Sequence, residues 1–101
     1  MIIYVVITYN SKKKKSEYKV FNNRSEAIKL YWKLVREEGL YTYIVTQLII
    51  REDLEITFEE IKKEFEKGKY NTNPELVASW TTIISNGKTD LWVNDYIKYQ
   101  S

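Results

Sequence analysis

From residue 2 to residue 9 almost every side chain is apolar: Ile2, Ile3, Tyr4, Val5, Val6 and Ile7 precede Thr8 and Tyr9. That run predicts a strand covered on both faces, since a half-exposed strand would alternate apolar with polar positions. A polar turn from Asn10 to Ser16 carries Lys12, Lys13, Lys14 and Lys15. A second strand, Glu17 to Phe21, closes a hairpin with a basic tip. The period then changes. Apolar side chains at 27, 28, 31, 34 and 35 recur at helical spacing, with Asn23 as N-cap, Glu26 as its capping-box partner and Gly39 just past the end. Leu30 and Trp32 widen the stripe beyond what one sheet face covers, so this helix needs a further contact.

Residues 41–50 read as a third strand, β-branched and aromatic, with Tyr41, Tyr43, Val45 and Ile49 on one face and Ile44, Leu48 and Ile50 on the other. The second helix has the clearest local signature. Thr57 is its N-cap, Glu60 completes the box, and Ile56 with Ile61 forms a hydrophobic staple. Lys67 and Gly68 end it, and a thin apolar side (Phe58, Ile61, Phe65) places it at the surface. After a loop through Asn73-Pro74, Leu76 to Ser85 reads as strand. Asn86-Gly87 is a type I′ hairpin signal, and Lys88 to Tyr99 is the returning strand. Counting outward from that turn puts Trp80, Thr82, Ile84, Thr89, Leu91 and Val93 on a core face. Ser79, Thr81, Ile83, Asp90, Trp92, Asn94 and Tyr96 fall on the other.

The order is ββαβαββ in a single domain spanning residues 1–101, an α+β fold with an antiparallel sheet and two helices. The first helix returns the chain so that strand three lies beside strand one, giving a 2-1-3 order with strand one central. The last hairpin either extends this sheet or packs across it. Two helices covering one sheet face would leave apolar surface on strands one and three, and a homodimer would bury it.

Composition removes most chemistry. The 101 residues include no histidine and no cysteine, which excludes Ser-His and Cys-His nucleophiles, ordinary zinc sites and disulfides. The pair Glu17 and Lys19 superficially matches part of a metal-dependent nuclease signature, but no acid precedes Glu17 to hold the metal. Asp90 and Asp95 fall on opposite faces. Gly39, Gly68 and Gly87 all serve as helix stops or turn, so none is spare for a phosphate cradle. Catalytic residues, cofactors and metals are therefore not expected, and an enzyme is the class this inventory supports least. No apolar run approaches the roughly 20 residues of a membrane span, which points to a cytoplasmic protein.

The formal net charge is only +2, yet the chain is electrically polarised. Ser11 to Arg24 holds six basic residues against one acidic, and Arg36 to Glu66 holds nine acidic against four basic. Lys12–Lys15 are thus candidate phosphate contacts. A solvated turn that keeps a hairpin edge from pairing is the plainer account of them. Arginine, the better base and phosphate reader, occurs only at 24, 36 and 51. Twelve Tyr and Trp residues on or near strands supply a candidate stacking platform, although aromatics belong in strands in any case. Ile83, Trp92 and Tyr96 share the polar face of the last hairpin and are candidate protein-interface residues.

Lys, Ile, Tyr and Asn are abundant, alanine occurs only at 27 and 78, and proline only at 74, a bias toward A/T-rich codons. The segment from Glu17 to Gly39, with Val20-Phe21 followed by Asn23, Ser25, Glu26, Ala27 and Ile28, resembles a strand-then-helix cassette of small uncharacterised phage and archaeal-virus accessory proteins. It covers about a quarter of the chain and carries no catalytic residue. The resemblance implies a mobile-element accessory protein acting stoichiometrically on a host or viral macromolecule, in the host cytoplasm. The leading expectation is a homodimeric protein–protein interaction module. The alternative is a nucleic-acid-binding protein that uses Lys12–Lys15 and the strand aromatics.

Overall fold

The computed structural model describes residues 1–10, 15–38, 42–67 and 75–86. Their elements are β1 (Ile2–Asn10), β2 (Lys15–Phe21), α1 (Arg24–Glu38), β3 (Thr42–Ile50), α2 (Phe58–Glu66) and β4 (Val77–Ser85). The fold is α+β: four antiparallel strands in the order β2-β1-β3-β4, with two helices. The 2-1-3 core order matches the sequence reading, and β4 extends the sheet beside β3. The expected seventh element, from Lys88 to Tyr99, lies outside the described residues, as do Gly39, Gly68 and the Asn73-Pro74 loop. Lys15, expected in the turn, instead opens β2 opposite Asn10.

Both helix starts form as their side chains dictate. The Asn23 side-chain oxygen accepts from the Glu26 N–H at 3.2 Å, and the Thr57 hydroxyl accepts from the Glu60 N–H at 3.2 Å. Each contact satisfies one of the amides that a first helical turn leaves without a partner. Ile56 and Ile61 then pack into one cluster, as a staple requires.

The helices do not share a sheet face. Ile61 and Phe65 of α2 pack with Ile3, Val5 and Ile7 of β1, Tyr18 and Val20 of β2, and Ile44, Leu48 and Ile50 of β3. Ala27 and Tyr31 of α1 pack with Val6, Tyr43 and Val45. Odd and even positions of β1 point to opposite sides of the sheet, so the described residues form three layers, helix on sheet on helix. This corrects the expectation of two helices on one face. It also explains the unbroken apolar run of β1 within a single chain, because each face of the strand meets its own helix. Burying Ile61 and Phe65 contributes about 1.5–3 kcal/mol each, enough to hold a short helix whose other positions are mostly solvated.

A second correction concerns β4. Val45 pairs with Ile84, but Thr46 pairs with Thr82, so Ile83 is the extra residue of a β-bulge. Another irregularity at Ala78 lies between the Ser79–Ile49 and Val77–Ile50 pairs. The bulge moves Ile84 off the face of Trp80 and Thr82, and Ile83 and Ile84 both join the cluster beneath α1. Trp80, expected on the core face, is 39% exposed. Beyond β4 the Asn86 side chain accepts from the Tyr43 N–H at 2.5 Å while its own N–H donates to the Tyr43 carbonyl at 3.2 Å. One residue thus prolongs the β3–β4 pairing past the strand end.

Thr46 sits in a row with Val5 and Thr82 on the α2 face, fully buried, and its hydroxyl has no hydrogen-bond partner. A buried hydroxyl without a partner is destabilising, and valine keeps the β-branched shape without the polar atom. Thr46→Val is therefore expected to leave stability unchanged or raise it by about 1 kcal/mol, read from urea unfolding. A loss of that size would show that the hydroxyl is satisfied after all.

Candidate interaction surface

Two of the sequence candidates fall among the described residues. Ile83 is half-buried against the α1-side cluster through the bulge, and Lys15 is exposed at the start of β2. Lys12, Lys13, Lys14, Trp92 and Tyr96 lie outside the described residues. What the described residues present is apolar surface that the described helices and strands leave uncovered. Helix α1 lies over the end of the sheet marked by Val6, Tyr43 and Val45. At the other end of that face, Ile2 is 47% exposed beside half-buried Ile49, and Ser79 completes the row.

The stripe of α1 is wider than the sheet can cover. Ala27 and Tyr31 are buried, Leu30, Leu34 and Val35 are half-buried, and Trp32 is 50% exposed. The Trp32 ring meets Tyr31 edge to face at 5.1 Å, and the Arg36 Nε donates to the Trp32 carbonyl at 3.3 Å. Burial pushes the Tyr31 hydroxyl above the ordinary tyrosine pKa, so it stays protonated and packs as a neutral ring. Sequence reasoning registered Trp32 only as part of a broad stripe. That breadth was the usable signal, because the excess width is what remains in solvent.

A second feature borders β2. A groove of about 360 Å³ is lined by Lys15, Ser16, Glu17, Tyr18 and Lys19 on the strand and by Glu66 and Lys67 at the end of α2. The Glu66 Oε2 accepts from the Val20 N–H at 3.1 Å, tying the helix end to the strand. Glu66 went unsingled in the sequence because its role depends on how α2 lands. Elsewhere, the Arg51 guanidinium beside Asp53 holds that carboxyl below the usual carboxylate range. The pair is solvent-exposed and adds little to the fold.

Among the described residues no cluster of three or more acidic side chains is arranged to hold a metal ion. No helix among them is long and apolar enough to cross a membrane. Compared with family models, curated proteins and solved structures, the chain matches none.

Proposed function

We propose that this chain is a non-enzymatic protein–protein interaction module, an accessory protein of a virus or mobile element that acts stoichiometrically in the host cytoplasm. The observation that carries this reading is Trp32, half in solvent on a helix whose apolar stripe exceeds the sheet beneath it. Tryptophan exposed amid half-buried aliphatics is the composition of an interface centre. A homodimer is the simplest assembly that would cover it, and the exposed Ile2 beside Ile49 offers a second apolar contact on the same side of the sheet.

Light scattering after gel filtration tests the assembly. A dimer mass at micromolar concentration is expected, falling to monomer in Trp32→Ser with unchanged circular dichroism. A monomeric wild type removes the homodimer. Reproducible capture of one host protein, lost in the same variant, would then carry the module reading. Capture unaffected by Trp32→Ser counts against it.

A second reading has its own observation, because Lys15, Lys19 and Lys67 line one groove. Nucleic-acid binding would appear in a mobility-shift titration at low salt and fade steeply as salt rises. Replacing Lys12–Lys15 by serine would flatten that slope. Absence of binding at low salt eliminates this alternative.

A further inference from the structure

The groove beside β2 follows the outer side of that strand, where the Glu66 carboxylate occupies the edge at Val20 and Lys15 to Lys19 line the remainder. Among the described strands, β2 is an outer member of the sheet, paired only with β1. In an antiparallel ladder, alternate residues turn their backbone groups away from the neighbouring strand. The Val20 N–H donates outward to Glu66, which fixes the even-numbered positions as the outward set. Ser16 belongs to that set and lines the groove. A side-chain carboxylate already stands in, at Val20, for the acceptor that a neighbouring strand would supply.

Charge along this edge is patterned. Lys15, Glu17 and Lys19 alternate with Ser16 and Tyr18, so they share one face of the strand, base, acid, base, and all three are exposed. Lys67 adds a third cation from the end of α2, while the Glu66 carboxylate is engaged by the Val20 amide. Directly opposed cross-strand pairs favour opposite charges, so the complement of this face is acid, base, acid at alternate positions.

We infer that the β2 edge accepts an extended acidic segment of a partner protein as an added strand, with carboxylates opposite Lys15 and Lys19 and main-chain pairing at Ser16. This rests on the interaction-module reading and names a surface and partner chemistry separate from Trp32. Main-chain hydrogen bonds would give affinity and the alternating charges register, the usual division of labour when a peptide extends a sheet.

Fluorescence anisotropy tests it with a labelled peptide of alternating valine and charge, Glu-Val-Lys-Val-Glu at its centre, against a control with the charges exchanged. Binding of the first peptide is expected, weakened about tenfold or more by the control and by the Lys15→Glu, Lys19→Glu double variant. Both lysines are exposed, so the variant should keep its fold by circular dichroism. Independently of any protein variant, N-methylating one alternate set of peptide amides should abolish binding, and methylating the other set should not. Equal binding of both charge patterns, indifference to N-methylation, or easy displacement by oligothymidylate would each overturn the inference. No peptide binding alongside intact Trp32-dependent assembly overturns this inference alone. Loss of both removes the module reading as well.

Discussion

Phe65→Ala should lower the unfolding free energy by about 3–5 kcal/mol, read as a shifted urea midpoint with an unchanged slope. The ring is 1% exposed and, with Ile61, is one of two fully buried side chains by which α2 seals its face of the sheet. Removing it opens a cavity in the cluster that holds Ile3, Val5, Ile7 and Val20, residues on two strands that cannot close toward a gap without breaking their pairing. Small domains have a total stability of about 5–15 kcal/mol, so the variant would sit near the margin of folding. A loss under about 1 kcal/mol would mean that α2 is not the cover described above.

The second large effect is expected on the opposite face. Tyr43 is fully buried, lies on β3, and packs with Val6, Val45, Ala27 and Tyr31 beneath α1. Tyr43→Ala should also cost about 3–5 kcal/mol in the same experiment. The two losses report on separate packing: Phe65 on the seating of α2, and Tyr43 on the cover that α1 gives the other face of β3. A loss at Tyr43 under about 1 kcal/mol would mean that α1 is not that cover.

Much of this was legible along the chain. The caps at Asn23 and Thr57, the central place of the first strand and the two apolar faces of residues 43–50 follow from local chemistry and period, and the structure has them. The side of the sheet on which α2 lands was not legible. A thin apolar side such as Phe58, Ile61 and Phe65 reads the same above or below a sheet. The choice falls to the path of residues 51–57, where Leu54 and Ile56 turn into the α2-side cluster. The bulge was equally hidden. Counting residues outward from a turn assumes strict alternation, and one extra residue at Ile83 reverses every assignment on one side of it.

The candidate surface was less legible than the fold for a related reason. Apolar residues that stay in solvent have no local mark of their own. Trp32 and Trp80 carry the same strand and helix signals as core aromatics, and only the extent of the neighbouring layers decides their exposure. Lys15 and Lys19 were visible as charge, but the groove they share with Glu66 and Lys67 joins positions more than 45 residues apart.

The placement of β1 has a consequence for motion. It has a strand on each side and a helix layer above and below, and Ile3, Val5, Val6 and Ile7 are at most 1% exposed. The amides from Ile3 to Ile7, which pair with the flanking strands, are expected to exchange only when the whole molecule comes apart. The isotope clock in this strand therefore keeps time for global unfolding, and any ligand that tightens the native state will slow it.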